Sequence, residues 1–186
     1  MINKKEEYNF VARTQSNMKY ITSLIQKKPS EILEDDKFYD VTNLINCCLG
    51  LVSYVYEDTM KYNKRKRNKA LDMLREILQN YPYEVGKYGN IEISWSVQGK
   101  KDIVYKDMPT LLYHMRNAIC HGNILPSCSN PDENGDQPIT AIIFTDMRGK
   151  TENFKATMDI VHIQNFANDV AEAYISYNTE NNKKQQ

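Results

Sequence analysis

The sequence predicts a mainly α-helical fold, a bundle of about five helices carrying a small β-hairpin and strand accessory. Three observations carry that expectation. Apolar residues recur at spacings of three and four through most of the chain. Period-two alternation is confined to two short regions. With 186 residues and 41% apolar content, the chain can bury one sizeable core, and no composition shift divides it.

Residues 8–27 place Val11, Met18, Ile21 and Ile25 at helical spacing and stop before Pro29. Residues 38–56 form the strongest helix, with Val41, Leu44, Ile45, Cys48, Leu51, Val52 and Val55 on one stripe and Asp36 or Asp40 as a start. Residues 69–79, with Leu71, Leu74, Ile77 and Leu78, make a third helix that ends near Pro82.

The periodicity then changes. Ile91, Ile93, Trp95 and Val97 alternate with Glu92, Ser94 and Ser96, between turn signals at Gly89-Asn90 and Gly99-Lys100. This reads as a half-buried strand with Trp95 in the core. The tyrosines of residues 81–108, Tyr81, Tyr83, Tyr88 and Tyr105, either pack this flap on the bundle or stack on nucleobases.

A fourth helix spans residues 109–121, with Pro109 in its first turn and Gly122 just past its end. Residues 122–138 read as a long solvated loop, whose acids Asp132, Glu133 and Asp136 lack a metal-ligand pattern. A hairpin follows, residues 139–147 and 153–158, turning through Arg148, Gly149 and Lys150. The last helix, residues 160–177, offers Ile163, Phe166, Ala167, Val170, Ala171, Tyr174 and Ile175 to the core. Residues 1–177 are thus expected to form one domain and residues 178–186 a disordered polar tail.

Charge narrows the choice of partners. Lys+Arg and Asp+Glu both number 24, so no global positive field draws in nucleic acid, and any such contact is local. The concentrated positive patch is residues 61–69, where Lys61, Lys64, Arg65, Lys66, Arg67 and Lys69 stand with Tyr62. It either grips an RNA backbone through phosphates or is a solvated connection between helices. Cys47, Cys48, Cys120 and Cys128 show no zinc-site spacing, and the adjacent pair reads as small core residues. With no secretory leader and no long apolar run, the expected setting is a reducing cytoplasm, away from membranes.

The chemistry concentrates in Arg116, Asn117, Ala118, Ile119, Cys120 and His121. On a helical projection Leu111, Leu112, Met115, Ala118 and Ile119 form the apolar stripe, within an arc of about 120°. The remaining arc holds, in order, Arg116, Cys120, Tyr113, Asn117, His121 and His114, which places all of them away from the core. Arg116 and His121 lie about 140° apart on that projection, too far around the helix to touch. A phosphate with its neighbouring sugar hydroxyl suits the gap. Arginine offers a fixed fork of donors to a phosphoryl transition state. Histidine moves a proton near neutral pH, and a helix C-terminus favours its protonated form. Asn117 would hold the imidazole or the substrate, and the scheme needs no metal or other cofactor. The plain alternative is a surface arginine with a capping histidine. His114 reads as a surface or dimer-contact residue, His162 has no assigned role, and Tyr113 is a candidate for base stacking or for lining a dimer contact.

Arg116 to His121 with Gly122, R-N-A-I-C-H-G, resembles the R-x(4 to 6)-H motif of the HEPN superfamily, in which a polar residue commonly follows the arginine. Residues 41–51, V-T-N-L-I-N-C-C-L-G-L, resemble the earlier core helix of a prokaryotic single-domain HEPN group. The resemblance spans residues 10–177, its specificity resting on those two stretches.

It implies a homodimeric, metal-independent endoribonuclease acting in a prokaryotic toxin or antiphage defence setting. His121 would be general acid or base, Arg116 would sit on the scissile phosphate, and Asn117 would support both. RNA is the implied partner, tRNA or mRNA, together with an antitoxin or other defence protein. In a dimer the Arg and His serving one phosphate need not share a subunit. Two other classes stay open: a HEPN-like module that binds RNA, nucleotide or a partner without turnover, and a purely structural interaction domain.

Overall fold

The computed structural model describes residues 4–25, 36–61, 67–93, 107–128, 130 and 139–183. Among these residues five helices and four strands follow in the order α1 Lys4–Ile25, α2 Asp36–Lys61, α3 Arg67–Leu78, β1 Asn90–Ile93, α4 Met108–Cys120, β2 Ile124–Cys128, β3 Ile139–Arg148, β4 Thr151–Asp159 and α5 Ile160–Lys183. The mainly helical bundle with a small β accessory, expected from periodicity, is the observed architecture.

α2 is the hub, packing on α1, α3, α4 and α5. Its stripe of Leu44, Cys48, Leu51, Val52 and Val55 is buried. Val11 and Met18 meet it from α1, and Phe166, Ala167, Val170 and Ala171 from α5, all out of solvent. A continuous apolar ridge on each helix therefore closes one core. At the far end of α2, Tyr174 Oη donates to Asp58 Oδ2 at 2.6 Å, and both residues are buried. This satisfies a carboxylate that would otherwise be costly inside the bundle.

The strands form one antiparallel sheet in the order β1-β4-β3-β2. β3 and β4 make the expected hairpin, and Gly149 takes φ +65 in its turn. Alternation is kept: Ile142, Phe144 and Asp146 of β3 are buried, as are Phe154, Ala156 and Met158 of β4. β3 packs on α4, and β4 on α5. β1 is fixed from a distance. Just before it, Tyr88 is fully buried, edge-on to Phe166 with ring centroids 5.4 Å apart, and its hydroxyl donates to Asp169 at 2.6 Å.

Three expectations change. The loop expected over residues 122–138 begins with a strand: β2 pairs with β3 as the sheet edge, and Pro126 is tolerated there because an edge strand leaves one side unpaired. α2 runs to Lys61, past the expected end at residue 56, because Asp58 and Thr59 are buried and bonded rather than solvated. The tail expected from residue 178 is helix as far as Lys183. There Asn178 and Thr179 bond back to the carbonyls of Tyr174 and Ile175, and Tyr177 packs on the core. Trp95, Val97, Tyr105, the Gly99-Lys100 turn and the acids Asp132, Glu133 and Asp136 lie outside the described residues. No described helix is long and apolar enough to cross a membrane.

Candidate active site

α4 carries the motif, and both of its ends are built by local sequence. Asp107 caps the N-terminus, its carboxylate accepting from the Thr110 amide at 2.8 Å, with Pro109 in the first turn. At the other end Gly122 adopts φ +67, its amide bonds to Ile119 O at 3.1 Å, and the Asn123 amide bonds to Ala118 O at 2.8 Å. Those two bonds make a Schellman closure, which needs a residue free of a Cβ at the left-handed position. His121 is the C-cap itself, its amide bonded to Asn117 O at 3.0 Å. The Thr145 amide then bonds to Asn123 O at 3.0 Å, so β3 fastens the chain just past the histidine. His121 is exposed on a backbone held from both sides.

The apolar stripe of α4 is as expected, with Leu111, Leu112, Met115 and Ala118 fully buried and Ile119 half-buried. Its polar arc is not as expected. α4 lies between α2 and β3, so His114 and Asn117 are buried, at 0% and 8% exposure, and the surface or dimer-contact role foreseen for His114 is excluded. A sheet covers the side of the helix that a bundle alone would leave open.

Asp146 of β3 explains how two polar side chains are accommodated there. His114 Nδ1 lies 2.7 Å from Asp146 Oδ2, and Asn117 Nδ2 donates to the same oxygen at 3.0 Å. An ionised carboxylate only accepts, so Nδ1 of His114 carries hydrogen and the Asn117 amide must turn its NH2 inward. The His114 ring also stacks on Phe154 at 4.9 Å and an interplanar angle of 7°. Phe154 is the cross-strand partner of Asp146, and a bulge follows directly at Asp146/Met147.

With its NH2 group turned to Asp146, Asn117 presents Oδ1 to Arg116, whose Nη1 donates to it at 3.0 Å. The other edge of the guanidinium meets Glu57 of α2. Nε donates to Glu57 Oε1 at 2.6 Å, and Nη2 donates to the same oxygen. Tyr56 lies beneath, its ring centroid 5.5 Å from Arg116 Cζ. Burial works against the charge on Arg116, but the Glu57 carboxylate, by hydrogen bond and by charge, holds its pKa above the ordinary value. Arg116 keeps 27% exposure and Glu57 52%. The result is a continuous relay, Glu57–Arg116–Asn117–Asp146–His114, running from solvent into the core.

Of the residues singled out from sequence, Arg116 and Asn117 are joined directly. His121 lies on the same helix end, with no hydrogen bond or ion pair to Arg116 among the described residues. Tyr113 is half-buried beside Tyr56 and His114, at centroid distances of 6.0 and 5.1 Å. Arg67 opens α3, whereas Lys64, Arg65 and Lys66 lie outside the described residues. Glu57 and Asp146 were missed. Asp146 had a signal: it occupies the inward position of the Ile142, Phe144, Asp146 alternation, an acid on an apolar face.

The family model described as HEPN pEK499 p136 matches residues 1–181. No curated protein and no solved structure matches the chain.

Proposed function

We propose that this chain, which belongs to the HEPN pEK499 p136 family, is an endoribonuclease that cuts RNA by attack of a ribose 2′-hydroxyl on the adjacent phosphate. The 2′-oxygen bonds to phosphorus as its proton passes to a base, and the bond to the 5′-oxygen breaks as that oxygen takes a proton. The products carry a 2′,3′-cyclic phosphate and a 5′-hydroxyl, and no metal ion is needed for either proton transfer. His121 moves the protons and Arg116 neutralises charge on the phosphoryl group. Lys64, Arg65, Lys66 and Arg67 hold the RNA backbone, and Tyr113 lines the cleft. The active unit is a homodimer whose cleft combines the Arg116 of one subunit with the His121 of its partner, which removes the need for contact along one helix. The setting is prokaryotic toxin or antiphage defence in the cytoplasm, with an antitoxin or related protein as regulator.

One observation carries this reading: an exposed imidazole held at a Schellman-closed helix end, on the same helix as an arginine braced on one edge and still partly open to solvent. The test is purified protein with total RNA and tRNA in excess EDTA, wild type beside His121→Ala. Cutting by wild type alone, with cyclic phosphate ends, supports it. A second reading, a module that binds RNA or a partner protein without turnover, is favoured by the engagement of Arg116 with Glu57 and Asn117. RNA retained by wild type but left intact would select that reading.

A further inference from the structure

We propose that Asp146 is a positioning residue for the RNA-cleaving site, setting the direction of the Arg116 guanidinium through the side chain of Asn117. This rests on the nuclease reading above. Without touching substrate, Asp146 decides which way the Asn117 amide faces. An amide of this kind can present either its oxygen or its NH2 group to Arg116. Only the oxygen can accept from a guanidinium; the NH2 group would set donor against donor and push Arg116 away. Asp146 Oδ2, at 3.0 Å from Asn117 Nδ2, selects the oxygen-outward state.

The selection is firm because Asp146 is itself held. It is 4% exposed, and its accepting oxygen is shared with His114 Nδ1 at 2.7 Å. His114 in turn is clamped face to face on Phe154, the residue paired with Asp146 across the hairpin. A rotation of Asn117 would leave a buried carboxylate short of a donor and point NH2 at a cation. Arg116 therefore has one acceptor fixed from the core, Asn117 Oδ1, and one that is half in solvent, Glu57. Three of its five N–H groups are engaged by these two. The other two remain for phosphate, at an angle the core has set. Asn117, placed by sequence among the residues that handle substrate, has both ends of its amide occupied within the protein and acts as the relay.

The experiment compares wild type, Asp146→Leu and Asp146→Asn. Each is measured for thermal midpoint, for the Arg116 Nε–Hε signal in 15N NMR, assigned by its loss in Arg116→Lys, and for kcat and KM on a cleavable RNA. Asp146→Leu is expected to shift or broaden the Arg116 signal and to lower kcat by about tenfold or more with KM nearly unchanged, as a misplaced charge-stabilising group should. Asp146→Asn, which keeps one acceptor oxygen, is expected to restore both. Should Asp146→Leu not fold, Asp146→Ala, which likewise has no acceptor, is read by the same criteria. A folded variant with no acceptor at position 146, Asp146→Leu or Asp146→Ala, that leaves the Arg116 signal unmoved and kcat unchanged overturns the proposal, whatever its thermal midpoint. Failure of the wild type to cut RNA overturns the nuclease reading instead, and the Arg116 signal alone then decides whether Asp146 orients the arginine.

Discussion

Arg116 Nε donates to Glu57 Oε1 at 2.6 Å, joining α4 to α2 at the mouth of the candidate site. Glu57 is half exposed, so the pair adds at most about 1 kcal/mol to stability. Its larger effect is on what else can approach the guanidinium. A phosphate arriving at Arg116 meets the charge of Glu57, a repulsion of about 1 kcal/mol in water-like surroundings, or roughly fivefold in Kd. Glu57→Gln, placed in a His121→Ala background so that RNA stays intact, should tighten RNA binding by about that factor. Fluorescence anisotropy with a short labelled RNA reads it. Weaker binding would mean that Glu57 aims Arg116 and does not compete with the phosphate.

His114 is a different case, because nothing about it reaches solvent. Truncation to Ala removes the stacked ring from Phe154 and one of the two donors to a buried carboxylate. A cavity and an under-satisfied acid together cost about 2–4 kcal/mol, which lowers the thermal midpoint by about 5–15 °C in a chain of this size. Circular dichroism melting measures it. A shift under 2 °C would show that the packing collapses around the gap.

What the sequence made legible was whatever depends on one element at a time. Helical spacing located the α2 and α4 stripes, Gly122 marked the end of α4, and the alternation in β3 and β4 marked the hairpin. Lost to view were the properties that come from two elements meeting. The polar arc of α4 reads as solvated until β3 covers it, which is why His114 and Asn117 were placed outside. Glu57 lies beyond the expected end of α2, where polar residues resemble a stop signal until Tyr174 accounts for Asp58. β2 was hidden because Pro126 and the acids after it read as loop, and its pairing depends on β3 alone. The motif itself was legible, and its inward supports were not.

The RNA contact proposed for the basic run predicts a salt dependence. If Lys64, Arg65 and Lys66 each neutralise a phosphate of single-stranded RNA, replacing all three with Ala should reduce the slope of log K against log salt by about 2. Titrations at several salt concentrations in the His121→Ala background give the slope. An unchanged slope would assign these residues to solvent.

The four cysteines divide by burial. Cys120 and Cys128 are exposed, while Cys48 is buried. Burial, and then its neighbour Cys47, pushes the Cys48 thiol up to about 12 from an ordinary 9.0. The protonated thiol is thus the form the fold favours. The stability it contributes is complete below pH 9 and is lost as pH climbs toward 12. Iodoacetamide at pH 8 should label Cys120 and Cys128 within minutes and leave Cys48 untouched until denaturant is added, as peptide mass mapping would show. Labelling of Cys48 in the native protein would reveal an opening of α2 on that timescale.

Gly89 brings the turn before β1 close against β4, and its substitution should be the most damaging of the turn glycines. It takes φ +87, and a Cβ built there would lie 2.4 Å from the Thr157 carbonyl oxygen of β4, the strand to which Asn90 pairs at once. Gly86 has a similar φ of +84 with nothing within 4 Å of its Cβ position. Gly86→Ala therefore reports the cost of the left-handed backbone alone, about 1 kcal/mol. Gly89→Ala adds a collision with backbone that cannot rotate away, so β1 must separate from β4 or the turn must rebuild, for a total of about 3 kcal/mol or more. Urea denaturation of the two variants compares them directly. Equal losses would show that β1 can shift along β4 without penalty, and that the Tyr88–Asp169 bond, not the turn, fixes this edge of the sheet.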